Sequence, residues 1–151
     1  IVMLTKTVVE ECDSMLAQGG ICVLHDEGDY DAFYEQEIAY RKIMLYPPVW
    51  NMLVILCASK SEEAADAMAA ELAAAADAYT GKNTKEKVYL VGPVDAAIAK
   101  VNDIYKKIIY LKAENYDTLV KIKNRTEVYA RESRYYKNVT VMFDFNPVNG
   151  F

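Results

Sequence analysis

The sequence predicts an α+β domain, because from residue 50 onward segments of strand and helix character follow the order β-α-β-β-α-β. Three observations carry this expectation. Trp50 to Cys57 is a continuous apolar run with β-branched Val54 and Ile55 at its centre, the pattern of a strand covered on both faces. The stretch from Ser61 to Tyr79 is rich in alanine and has high helix propensity. Asn138 to Phe145 alternates Val139, Val141, Phe143 and Phe145 on one side, as a half-buried strand does. The order is that of the ferredoxin-like fold, in which two helices cover one face of an antiparallel sheet.

Each element has its own signal. Thr5 to Gln18 places Val8, Val9, Cys12, Met15 and Leu16 on a helical stripe that Gly19-Gly20 stops. Ile21 to Leu24 reads as a brief strand, and the acidic Asp26 to Asp31 as the boundary before the next helix. Tyr30 to Leu45 is helical by the spacing of Tyr34, Ile38 and Leu45, with Glu37 four residues before Arg41, and Tyr46-Pro47-Pro48 must end it. The expected organisation is therefore an N-terminal helical extension (1–29), a leading helix and Tyr-Pro-Pro turn (30–49), and the ferredoxin-like domain (50–151).

Within that domain Ser61 caps the alanine-rich helix, with Glu62 and Glu63 at the positive end of its dipole. Gly81 to Glu86 reads as a polar loop, Lys87 to Val91 as a strand closed by Gly92-Pro93, and Asp95 to Asp103 as a short connection. Tyr105 to Lys112 is the third strand. Asn115 caps the last helix, whose inward stripe is Leu119, Ile122, Thr126 and Tyr129 and whose outer side carries Lys123, Glu127 and Arg131.

The formal charge of −5 over 151 residues argues against a chain that is basic throughout, but the distribution is uneven. Residues 1–99 hold 7 basic against 16 acidic side chains, while residues 100–137 hold 10 against 5, which puts the positive charge in one region. The longest apolar run, Met52 to Ala58, is far short of the ~20 residues of a membrane span, so a soluble, cytoplasmic protein is expected. Cys12, Cys22 and Cys57 are odd in number and lack a C-x-x-C spacing, which argues against a disulfide framework or a zinc knuckle.

No phosphate-binding loop or dinucleotide fingerprint occurs. His25 is the only histidine and has no Ser or Cys partner in a recognisable motif, and nothing places Glu35, Glu37 or Asp144 in a shared desolvated pocket. No catalytic residue, metal ligand or cofactor is expected. The informative cluster is Lys100, Lys106, Lys107 and Lys112 around Tyr105 and Tyr110, which joins phosphate-pairing charge to aromatic faces on which a base can stack. On a strand, Tyr105 and Lys107 share one face and Lys106 and Tyr110 the other. A solvated open face explains the same lysines equally well.

Several strings carry a resemblance. Tyr30 to Pro48, YDAFYEQEIAYRKIMLYPP, resembles the segment leading into the C-terminal domain of the primosomal protein N′ (PriA) family of replication-restart helicases. Leu90-Val91-Gly92-Pro93 with Ala97, Ile98 and Lys100 is similar to that family's glycine-proline stretch, Tyr105-Lys106 falls where the family usually has Tyr-Arg, and Val141 to Pro147 (VMFDFNP) is similar to its ending. Lys106 departs from the expected arginine and so loses forked phosphate contact, and Ile1 to Gly20 matches nothing in the pattern, so residues 1–29 are either a helical extension or a remnant of the helicase core.

The resemblance implies a fragment of an ATP-dependent 3′-5′ DNA helicase that reloads the replisome at stalled forks. The ATPase motifs and zinc-binding cysteine pairs of such a parent, and hence ATP, magnesium and zinc, belong to upstream regions. It also implies single-stranded or forked DNA, the tail of single-stranded-DNA-binding protein and the parent's helicase lobes as partners, with no membrane. The expected DNA-binding residues are Lys100, Lys106 and Lys107 for phosphates and Tyr105 for stacking, with Arg41 and Lys42 as weaker candidates. Two alternatives stay open: an intramolecular scaffold with little DNA affinity of its own, and a small-molecule-binding or acyl-phosphate-hydrolysing domain.

Overall fold

In the computed structural model the described residues are 27–83 and 86–147. The expected helix at 5–18 and strand at 21–24, together with Cys12, Cys22 and His25, lie outside them. The chain divides into two units, Ile1–Glu37 and Ile38–Phe151. The elements in order are α1 (Glu27–Met44), β1 (Asn51–Ser59), α2 (Glu62–Asn83), β2 (Val88–Val101), β3 (Ile104–Ala113), α3 (Tyr116–Glu132) and β4 (Thr140–Phe145). From β1 onward this is the expected β-α-β-β-α-β order. All pairings in the four-stranded sheet are antiparallel, in the order β2-β3-β1-β4, so the β1 run is central and β2 and β4 are the edges.

The core lies between the sheet and α2 and α3. Leu53, Ile55 and Cys57 of β1 and Ile109, Leu111 and Ala113 of β3 meet Met68, Leu72 and the buried alanines of α2, and Leu119, Ile122 and Ala130 of α3. The scarcity of large side chains on α2 lets its backbone lie close to the sheet. Val141, Phe143 and Phe145 complete the layer from β4. Burying each full-size aliphatic side chain contributes roughly 1.5–3 kcal/mol, so this face supplies most of the drive to fold.

The helix starts follow the sequence signals. The Ala64 amide donates to Ser61 Oγ at 3.2 Å, and the Asp117 amide donates to Asn115 Oδ1 at 2.9 Å. On α3 the outer Lys123, Glu127 and Arg131 form the expected ladder of i,i+4 ion pairs. At its other end α1 stops at Met44, Leu45 turns left-handed at φ 55°, and the Tyr46 amide reaches back to the Arg41 carbonyl at 2.8 Å.

Three expectations are corrected. The loop expected at Gly81 to Glu86 begins later, because α2 continues through Gly81 to Asn83; one glycine costs only about 1 kcal/mol against alanine, and the preceding alanines carry the helix over it. Gly92-Pro93 does not close β2, which runs on to Val101 with register shifts between Val91 and Val94 and between Asp95 and Lys100. Proline survives there because β2 is an edge strand, where a missing donor breaks no interior ladder. Gly92 is required at that irregularity, since its φ is +109° and an added Cβ would lie 2.7 Å from the Ile108 carbonyl oxygen. Finally, Tyr129 is exposed and Ala130 takes the inward position, so that the stripe runs 119, 122, 126 and 130.

The face away from α2 and α3, helix-free among the described residues, holds a second, smaller apolar layer of Met52, Val54, Leu56, Ala96 and Ile108, against which Tyr46 and Tyr110 pack. At the Met52 end the chain following α1 covers it: Lys112 Nζ lies 4.0 Å from the Tyr46 ring centroid and donates to the Met44 carbonyl at 3.0 Å. Asn146, at φ 50°, closes the same end through its amide to the Met52 carbonyl at 2.8 Å and its Oδ1 to the Met52 amide at 2.7 Å. Among the described residues the Ala58 end has no such cover.

Candidate functional site

That uncovered end is a groove with a cavity of about 630 Å3, lined by Leu56, Ala58, Ser59, Lys60, Ile104, Lys106, Asn138, Thr140 and Met142. Strand register explains its position. One row across the sheet is Thr140, Ala58 and Lys106, and the next is Met142, Leu56 and Ile108. The other β1 side chains on this face are Met52, Val54 and Leu56, so the small Ala58 leaves the depression. The apolar floor of Leu56 and Met142 is flanked by Lys60, where the chain leaves β1, and by Lys106. Among the described residues the side chains of Lys60, Lys106, Asn138 and Thr140 have no hydrogen-bond or ion-pair partner.

The residues singled out by sequence fall in four places. Lys106 lines the groove. Lys107 points to the helix side, where its amine sits 2.8 Å from Asp66 of α2 and 2.7 Å from Asp95 of β2, with the side chain only 12% exposed. Hydrogen bonds with these carboxylates, Asp66 first, hold the Lys107 ammonium above its ordinary pKa, so its charge is already balanced. Lys100 and Tyr105 pair across β2 and β3 near the turn between those strands. The Lys100 amine is 3.0 Å from Asp103 and 4.7 Å from the Tyr105 ring centroid, and its pKa is raised, first by the Asp103 hydrogen bond.

Arg41 and Lys42 lie at the far end of the sheet face, beside the Tyr46 turn. Arg41 donates to the Pro47 carbonyl at 2.7 Å, and Lys42 is exposed. From Met52 to Ala58 the strand advances roughly 20 Å, so one compact ligand cannot touch both groups. Sequence reading missed Lys60, Asn138, Thr140 and Met142. The usable signal was Ala58 as the small residue on the open side of β1, with a lysine two positions on.

Other reactive groups are quiet. Burial pushes the Cys57 thiol up to about 12, which keeps it protonated and inert. Among the described residues no three His, Cys, Asp or Glu side chains gather to hold a metal. No helix among them is long and apolar enough to cross a membrane.

Comparison with known proteins decides the family. The family model described as Primosomal protein N C-terminal domain matches residues 42–148. The chain belongs to that family. Relatives of this primosomal C-terminal domain include proteins named Replication restart protein PriA: one from Bacillus subtilis (strain 168), 29% identical over 79% of this chain and 14% of its own length, and one from Borreliella burgdorferi, 28% identical over 82% and 18%. A third, from Treponema pallidum, is 27% identical over 85% of this chain and 18% of its own length. The chain thus spans less than a fifth of the curated relatives it matches. Among solved structures, the de novo designed protein Foldit4 superposes with a TM-score of 0.46 at 13% identity, covering 66% of this chain and 99% of that one.

Proposed function

We propose that this primosomal C-terminal domain is the non-catalytic DNA-binding and protein-docking part of a cytoplasmic replication-restart protein, and that nucleic acid lies on the helix-free face of its sheet. The observation that carries the reading is the groove around Ala58, where Lys60 and Lys106 are free of carboxylate partners among the described residues. Phosphates of a single-stranded or forked DNA pair with these two amines, whereas Tyr105, in register with Ser59 on the helix side, and Lys100 opposite it stand on the other face and take no part in this contact. Lys107 serves through position: by holding Asp66 and Asp95 it fixes the irregular stretch of β2 next to Lys100. Arg41 and Lys42 contact a more distant part of the same strand.

The helicase lobes of the same polypeptide and the tail of single-stranded-DNA-binding protein are docking partners in this reading, and ATP hydrolysis belongs to the rest of the parent protein. Fluorescence anisotropy with labelled single-stranded and forked DNA across a salt series tests it. Each phosphate contact on a single strand contributes about 0.7 to the slope of log affinity against log salt, so Lys60→Ala with Lys106→Ala lowers the slope by about 1.4. An unchanged slope removes these lysines from the interface.

A second reading, the intramolecular scaffold, draws on the exposed apolar stripe of Tyr40, Ile43 and Met44 at the end of α1, which suits burial against another domain. Absence of binding to forked DNA at physiological salt favours it.

A further inference from the structure

We infer that the groove around Ala58 seats a single unpaired nucleobase, so that the domain selects single-stranded over duplex DNA. The inference rests on the DNA-binding reading and adds the form of the ligand. Three strands at about 4.8 Å spacing give a floor roughly 10 Å across, and its two rows of side chains lie about 7 Å apart. That is the scale of one base with its sugar and not of a stacked pair. The cavity of about 630 Å3 falls within the range of small-molecule pockets.

The lining has the chemistry a base requires. Met142, 51% exposed, offers an apolar surface above the buried Leu56, and its thioether adapts to an aromatic face. Asn138 and Thr140 stand on the β4 side with uncommitted donors and acceptors for a base edge, and Lys60 and Lys106 stand where phosphates would flank it. An acidic peptide satisfies the lysines but leaves the apolar floor and the Asn138 and Thr140 pair without a purpose. In a duplex the bases are stacked inward, so only the lysines engage.

The test compares one labelled strand alone and in a blunt duplex, using the whole chain and two variants. Ala58→Phe fills the depression without altering charge. Asn138→Ala with Thr140→Ala removes the polar edge from exposed positions where folding is not at stake. The wild type binds the single strand at least tenfold more tightly than the duplex. Ala58→Phe reduces single-strand affinity about tenfold with the salt slope and duplex affinity unchanged, and the double alanine variant reduces it about threefold. Unfolding midpoints establish that both variants fold; should Ala58→Phe not fold, the double variant decides.

Equal affinity for strand and duplex with no effect of the variants overturns the inference while leaving DNA binding standing. A poly-glutamate peptide that competes as well as the strand assigns the groove to charge alone and also overturns it. A free nucleoside monophosphate that competes at micromolar concentration would point to a soluble nucleotide as the ligand and would equally overturn it. Failure to bind any DNA removes both this inference and the reading beneath it.

Discussion

Replacing Lys107 by alanine should destabilise the fold without changing the electrostatics of DNA binding. The amine makes two charge-assisted contacts, at 2.8 Å and 2.7 Å, and the lysine side chain is 12% exposed, whereas those of Asp66 and Asp95 are 52% and 61% exposed. Because both carboxylates can rehydrate when the amine is lost, the penalty of about 3–5 kcal/mol for an orphaned buried charge does not apply. Each contact is worth about 0.5–1 kcal/mol, near the upper end for exposed pairs, and the sum is about 1–2 kcal/mol. At this size that lowers the thermal midpoint by about 5 °C.

Circular dichroism of the whole chain measures this loss. The folded-state pKa of Lys107 is raised above the unfolded value, so its contribution is complete below the unfolded value of about 10.4 and is lost as pH rises through the folded one. The gap between wild type and Lys107→Ala should therefore be constant from pH 6 to 9. An unchanged midpoint together with a salt slope lowered by about 0.7 would refute the assignment and return Lys107 to the phosphate contacts.

Other positions give further tests. Gly92→Ala places a Cβ 2.7 Å from the Ile108 carbonyl at a φ of +109° and should cost about 2 kcal/mol or more by urea unfolding, with the loss local to the β2-β3 pairing in hydrogen exchange. Asn146→Ala removes the Oδ1 contact to the Met52 amide and forces alanine into a left-handed conformation, for about 2 kcal/mol; Asn146→Gly keeps the conformation and should lose about half as much. Glu127 is held below the usual carboxylate range, first by its hydrogen bond from Lys123 and further by Arg131, so its contribution is present at neutral pH and is lost as pH falls through the folded value. Thermal midpoints of wild type and Glu127→Gln should differ at pH 7 and converge in acid.

The fold was largely legible because its strongest features are local. The β1 run, the Ser61 and Asn115 caps and the alternation of β4 each appear within a few residues, and together they specify the strand order. What escaped was set by tertiary position. Pro93 reads as a stop unless its strand is known to be an edge, and Tyr129 reads as buried unless the approach of α3 is known to favour the small Ala130 one residue on. The site was half legible for the same reason. Alternation correctly separated Lys106 from Lys107, but no sequence rule announced that Asp66 and Asp95, far apart in the chain, converge on Lys107. The groove depends on Thr140, Ala58 and Lys106 forming one row across three strands.

The most direct test of the central claim is hydrogen exchange on the whole chain with and without a single-stranded oligonucleotide. Protection concentrated at residues 56–60, 104–106 and 138–142 is the expected footprint of a strand on the helix-free face. Protection confined to the outer surfaces of α2 and α3, with the groove unchanged, would contradict it.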